Sequence, residues 1–237
     1  MSGGVMPDRL GVVRIEVDIE DDLSRRFPGL RVLAVRLQGF INSRYLGDIE
    51  ALESRVYSEV RRRHSLESLK DVDVFRAYRD FFWELGIDPT KLRPSSEALV
   101  RRILMGKSIP RINPLVDAYN LASALTGITM AAYDDSKVRG PLRITRARSG
   151  EAFRGIGMDE EIRLGSEVVL RDDISILSIY PYRDSDHTKT GADTRRAILF
   201  TCGVPRIGFE LLREAEKVAL DFIEAVATPL GEPDKQV

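Results

Sequence analysis

Residues 93–120 read RPSSEALVRRILMGKSIPRINPLVDAYN, and they hold two helices back to back. Ser95 is an N-cap residue type, and Glu97 sits where a helix N-terminus favours a negative charge. Glu97 and Arg101 are four apart and can pair along one face. Gly106 stops this first helix. Asn113-Pro114 opens the second, with Asn as the cap and Pro at the first helical position. It runs to Thr126 and ends at Gly127. Along it, Asn113, Asp117, Asn120 and Ala124 follow i, i+4, i+7, i+11 spacing, which places an amide, a carboxylate and an amide on one line. Its flanks, Leu115, Val116, Tyr119, Leu121 and Leu125, are apolar. A polar line on such a helix, if buried, must find hydrogen-bond partners.

Working outward, both sides turn to strand. Val12–Ile19 and Leu30–Leu37 alternate apolar and polar residues with period two. Two helices follow, over Leu46–His64 and Val72–Leu85. After Gly127, strands are expected at Ile128–Tyr133, Leu142–Ala147, Glu167–Arg171, Ile174–Tyr180 and Ala197–Cys202. An amphipathic helix over Ile207–Ala227 closes the chain. Strands, then helices, then strands indicate an α+β fold with mixed sheets and flanking helices, not a βαβ alternation. No repeat or long linker divides the chain, so residues 1–237 read as one domain, with 1–10 and 228–237 as loose tails.

Composition narrows the function classes. The 237 residues carry 36 Lys+Arg against 37 Asp+Glu, a net charge of −1. That balance excludes a chain basic all over, of the kind that coats nucleic acid. A hydrophobic content of 43% supplies a sizeable core. Cys202 is the only cysteine, so no internal disulfide forms, and with His64 and His187 alone beside it a Cys/His zinc site lacks ligands. No metal or cofactor is expected. No long apolar run suggests a signal peptide or a membrane span, and a cytoplasmic protein is expected. Arg outnumbers Lys 29 to 7, and Asn and Gln total five, a bias that points toward a heat-adapted source.

Familiar catalytic signatures are missing. There is no P-loop, and no G-x-S-x-G elbow. Gly155-Ile-Gly157 continues into Met158-Asp159-Glu160, unlike a dinucleotide fingerprint. Cys202 reads as a buried strand residue. Charge is nevertheless uneven. From Arg101 to Arg148 nine basic residues face three acids, a local +6, and arginine suits bidentate contact with phosphate. Arg61-Arg62-Arg63 reads as a solvated helix end. The loop Arg183-Asp-Ser-Asp-His-Thr-Lys-Thr190 follows an apolar strand, where binding groups often sit, and His187 is a residue type that serves as acid or base.

Several of these pieces resemble one family. Arg111-Ile-Asn-Pro-Leu-Val-Asp-Ala-Tyr-Asn120 resembles a segment of the phenylalanyl-tRNA synthetase beta chain. Ala132-Tyr-Asp134, the basic stretch with Arg143 and Arg146, Gly150-Glu151, Val168–Asp172 and Asp193-Thr194 follow in the family's order. The set is similar to the B3/B4 editing module of that subunit, most clearly over residues 72–204, and to its free-standing members. The resemblance implies an α+β domain whose cleft admits the 3′ end of a tRNA and hydrolyses a wrongly attached amino acid, tyrosine in the synthetase. It implies a trans-acting editing hydrolase, with tRNA and an aminoacyl-tRNA synthetase as partners. No class II activation signature is present, so tRNA charging is not expected. Carried onto this chain, it assigns Arg93, Arg101 and Arg102 to phosphate, and Asn113, Asp117 and Asn120 to the pocket wall. Met130, Ala131 and Tyr133 would line the amino-acid pocket, and Arg183, Asp184 and His187 would stand nearest the chemistry. Two positions depart from the family pattern: Ala131 replaces a histidine, and Tyr180-Pro-Tyr-Arg-Asp184 replaces a Gly-Gly-Glu turn. The alternatives are a non-catalytic module that binds tRNA or a synthetase, and a small-molecule or amino-acid binder on the same fold.

Overall fold

The computed structural model describes residues 10–229. Two sheets form its frame. The first has four antiparallel strands in the order β1 (Gly11–Ile15), β3 (Val32–Gln38), β12 (Arg196–Cys202) and β5 (Thr129–Asp134). The second has five, in the order β11 (Arg183–Asp184), β10 (Ile176–Ile179), β9 (Val168–Arg171), β6 (Leu142–Arg146) and β2 (Val17–Ile19). Its pairs are antiparallel except β2 with β6, so this sheet is mixed. Two short pairs complete the strands, β4 (Phe40–Tyr45) with β13 (Ala227–Pro229) and β7 (Ala152–Phe153) with β8 (Ile162–Arg163).

The helices are α1 (Asp21–Arg26), α2 (Ile49–Arg63), α3 (Asp73–Glu84), α4 (Ser95–Leu104), α5 (Pro114–Thr126) and α6 (Phe209–Val226). This is the α+β class with mixed sheets. Helix α5 is the central one. It touches α2, α4 and α6 and lies against β5, so it is apolar on nearly every side. Both of its ends are fixed locally. The Asn113 side chain accepts from Val116 N at 3.0 Å, and Pro114 takes the first helical position. At the other end Gly127 adopts φ +77°, and its N–H donates to Ser123 O at 2.9 Å. A β-carbon there would stand 2.6 Å from Val74 Cγ1, so glycine also lets α3 pack against the helix end.

Several local expectations are corrected. Val12–Ile19 is not one strand: it breaks at Glu16, so that β1 joins the first sheet and β2 the second. Pro94, not Ser95, is the N-cap of α4, and no side chain caps it. Glu97 does not pair with Arg101. It is buried and takes a two-pronged ion pair from Arg79 of α3, with Nε at 2.7 Å. Thr228 and Pro229, expected to be part of a loose tail, pair with Ile41 and Phe40. Residues 1–9 and 230–237, the rest of both expected tails, lie outside the described residues.

The two sheets meet at both pairs of edges. At one, the chain passes from β1 to β2 through Glu16. At the other, Tyr133 of β5 hydrogen-bonds Asp184 of β11, and the segment after β11 follows β5, with Asp134 N donating to Thr188 O at 2.8 Å and Tyr133 bridging Lys189. The second seam borders the site described next.

Candidate functional site

A cleft of about 130 Å³ opens where β5 meets β10 and β11. Strand β5 contributes Thr129, Met130, Ala131 and Tyr133, and Cys202 comes from its neighbour β12. Ser178 lies on β10, Asp184 on β11, and Pro181 and Tyr182 on the turn between them. Helix α5 adds Tyr119 and Asn120, and Ser95 comes from the start of α4. An apolar cavity of similar size, about 150 Å³, admits benzene, so the space suits one amino-acid side chain.

Asp184 is the only charged side chain among these twelve lining residues. Burial pushes its carboxyl up to about 6, partly opposed by a hydrogen bond from Tyr133 and by the charge of Arg183. Tyr133 Oη donates to Asp184 Oδ1 at 3.0 Å. Ser178 and Asp184 are also direct partners across the β10–β11 ladder, so their side chains stand on one face. The other acids of the cleft stay protonated: burial raises the Tyr119 and Tyr133 hydroxyls and the Cys202 thiol well above their ordinary values.

The proposed site residues divide. Asn120, Met130, Ala131, Tyr133 and Asp184 share the cleft. Asn113 and Asp117 do not line it. Asn113 caps α5. Asp117 accepts from Ile112 N at 2.9 Å and from the Tyr45 hydroxyl, fastening the loop before α5 and the end of β4. Arg183 lies on the other side of β11, its Cγ and Cδ packed over Gly155. His187 is exposed and borders a different, polar cavity of about 570 Å³, with Glu151, Arg154 and Arg171. Arg93 is exposed just ahead of Ser95, Arg101 is half-buried on α4, and Arg102 Nε is held by Ser108 O.

Three of the nine basic residues of the basic stretch pair with acids elsewhere in the chain. Arg111 pairs with Glu53, Arg143 with Asp173 and Arg146 with Asp22, all acids outside residues 101–148. Arg62 and Arg63 pair with Glu59, as befits a solvated helix end. Sequence reasoning missed Ser95, Tyr119, Thr129, Ser178, Pro181, Tyr182 and Cys202 as lining. Ser178, a lone hydroxyl in the apolar run Ile176–Ile179, carried a signal, since a buried polar residue needs a partner.

Many of the motif residues turn out to be fasteners. Thr194 Oγ1 donates to Asp134 Oδ2 at 2.8 Å, joining the Ala-Tyr-Asp and Asp-Thr motifs at the end of β5. These contacts, with the Ser136 hydroxyl, hold Asp134 below the usual carboxylate range against the opposing effect of burial. Asp172 is fully buried and accepts from the backbone N–H groups of Arg139, Ile174 and Ser175.

A profile described as the B3/4 domain matches residues 77–208. The chain belongs to the B3/4 domain family. Every residue lining the cleft falls inside the B3/4 match. Over 114 residues, 48% of this chain, the sequence is 31% identical to the phenylalanine–tRNA ligase beta subunit of Nocardia farcinica (strain IFM 10152). That stretch is 13% of the ligase subunit, so the chain spans a small part of it. Among solved structures, an N-terminal fragment of the phenylalanyl-tRNA synthetase beta subunit from Pyrococcus horikoshii aligns with a TM-score of 0.44 at 14% identity. The alignment covers 92% of this chain and 53% of that fragment. Among the described residues of this B3/4 protein, no cluster of His, Cys, Asp or Glu could hold a metal ion, and no helix is long and apolar enough to cross a membrane.

Proposed function

We propose that this B3/4 protein is a trans-acting editing hydrolase, which removes a wrongly attached amino acid from the 3′ end of a tRNA. The observation that carries the reading is the cleft. It lies wholly within the B3/4 match, has room for one amino-acid side chain, and sets one carboxylate among neutral polar groups. The sequence identity to a tRNA ligase beta subunit supports the same substrate class.

In this reading the amino-acid side chain enters between Met130, Ala131 and Tyr119, with the ester at the cleft mouth. A water oxygen bonds to the ester carbonyl carbon, the bond to the ribose oxygen breaks, and that oxygen takes a proton. Fixed polar groups at the cleft, the Asn120 amide among them, stabilise the developing oxyanion. Arg93, next to the lining residue Ser95, supplies a cation for the terminal phosphates, and Arg101 and Arg102 extend that charge along α4. With Ala131 where the synthetase pattern has histidine, and no Gly-Gly-Glu turn, tyrosine is not assigned as the edited amino acid.

The test is a panel of mischarged tRNAs incubated with pure protein. Faster deacylation of at least one, over the spontaneous rate, is expected. No acceleration for any of them overturns the hydrolase reading. Salt-dependent tRNA binding without turnover would then indicate a binding module, alone or with a synthetase. Stabilisation by free amino acids and not by tRNA would indicate a small-molecule binder.

A further inference from the structure

Asp184 is half-buried in the cleft wall and has few partners for a carboxylate withdrawn from bulk water. An ionised carboxylate offers about four acceptor positions, and buried charges are ordinarily paired or richly hydrogen-bonded. Among the described residues, the hydrogen bond given to this side chain is the one from Tyr133 Oη to Oδ1, and no ion pair reaches it. The nearest cation in sequence, Arg183, is turned to the opposite face of β11 by strand alternation. It is kept there by packing over Gly155, where a β-carbon would stand 2.6 Å from Arg183 Cδ. The remaining lining groups are neutral. The cleft therefore presents one negative charge, with the Asn120 amide and the Ser178 hydroxyl as further acceptors around it.

An ammonium group matches this arrangement. It carries one positive charge and three N–H donors. An amino-acid ester always has such a group one carbon from the reacting carbonyl, whatever its side chain. We propose that Asp184 anchors the free α-ammonium of the aminoacyl group, so that the cleft accepts esters with an unblocked amine and excludes N-acylated ones. The inference rests on the hydrolase reading for its substrate class. It adds that the amine, common to all amino acids, is the feature the charge reads, while the side-chain space sets preference among them. Asp184 is in this sense a binding residue, and its Tyr133 contact fixes which carboxylate oxygen faces the ligand.

Two measurements on the full chain test it. The first uses the mischarged tRNA panel in two forms, with the α-amine free and N-acetylated, against the wild type and Asp184→Asn. The second measures binding of non-hydrolysable 3′-aminoacylamido adenosines, free and N-acetylated, by calorimetry. The expected result is that the wild type favours the free amine by about tenfold or more in both assays, as loss of a buried charged hydrogen bond implies. Asp184→Asn should bring the ratio close to one. A ratio is insensitive to a loss of folded protein, so a merely structural role for Asp184 would leave it unchanged. Equal use of both forms by the wild type, or a ratio unaltered in the variant, overturns the inference, as does failure of both adenosines to bind. Deacylation of both tRNA forms at one rate sinks the anchor and spares the hydrolase. Selective binding of the free-amine adenosine with no tRNA turnover sinks the hydrolase and spares the anchor.

Discussion

Tyr133 Oη lies 3.0 Å from Asp184 Oδ1, although the two residues belong to different sheets. The bond crosses the seam between β5 and β11 and fixes the floor of the cleft. It also favours the ionised carboxylate, against the burial that favours the acid. Replacing Tyr133 with Phe removes that support. The Asp184 pKa should then rise further above about 6, observable by NMR titration of its side-chain carboxyl carbon.

Asp184 also sets a pH dependence of stability. Its folded pKa of about 6 is raised above the ordinary 3.8. The folded state therefore holds the proton more tightly, and the stability this contributes is fully present below about pH 4 and lost as pH rises through 6. Asp184→Asn carries no such charge. At pH 7.5 the variant should be more stable than the wild type by roughly 2–3 kcal/mol, several degrees in Tm. The gap should close as pH falls from 6.5 to 4. Thermal melts across that range check it, and a gap independent of pH would refute it.

The polar stripe of α5 separates by the same kind of test. Asp117→Ala leaves Ile112 N–H and the Tyr45 hydroxyl without their acceptor, and should cost about 1–3 kcal/mol in denaturant unfolding. Deacylation per folded molecule should hardly change. Asn120→Ala should do the reverse, with little loss of stability and a fall in the deacylation rate.

That stripe shows where sequence reading succeeds and where it stops. The ends of α5 were legible because capping is local: Asn113, Pro114 and Gly127 act within four residues of themselves. Helical period also put Asn113, Asp117 and Asn120 on one face correctly. What covers a face changes along it, however, and seven residues advance about 10 Å. The first two meet a loop and β4, and the third meets the cleft. Glu97 failed for a related reason, since its partner Arg79 comes from another helix and no local rule ranks it above Arg101. The break at Glu16 was silent because period-two alternation is the same in one sheet as in two. Of the residues lining the cleft, the sequence reading singled out Asn120, Met130, Ala131, Tyr133 and Asp184, and it passed over Ser178, Tyr119 and Cys202.

Gly155 and Arg183 form a pair that a double-mutant cycle can isolate. Gly155→Ala places a β-carbon against Arg183 Cγ and Cδ and 3.0 Å from Met158 Sδ, and should cost about 1–3 kcal/mol. In an Arg183→Ala background most of that cost should vanish, because the colliding atoms are gone. Equal costs in the two backgrounds would show that Arg183 is not what glycine accommodates.

His187 borders the other cavity and not the cleft. His187→Ala should leave the deacylation rate and its pH profile unchanged. A large loss would return His187 to the chemistry and require the loop to rearrange on binding tRNA.

The family match runs from residue 77 to 208, yet β3 lies outside it and pairs with β12 along seven residues, Arg196–Cys202 against Val32–Gln38. The stretch that is recognisable across relatives is therefore smaller than the stretch that folds. A fragment trimmed to the match would bare one full edge of β12, where Ala197, Ile198, Leu199 and Phe200 are buried in the intact protein. A long, apolar, unpaired edge invites pairing with other chains, so such a fragment would aggregate. Excision of this module, in evolution or at the bench, has to carry β3 with it.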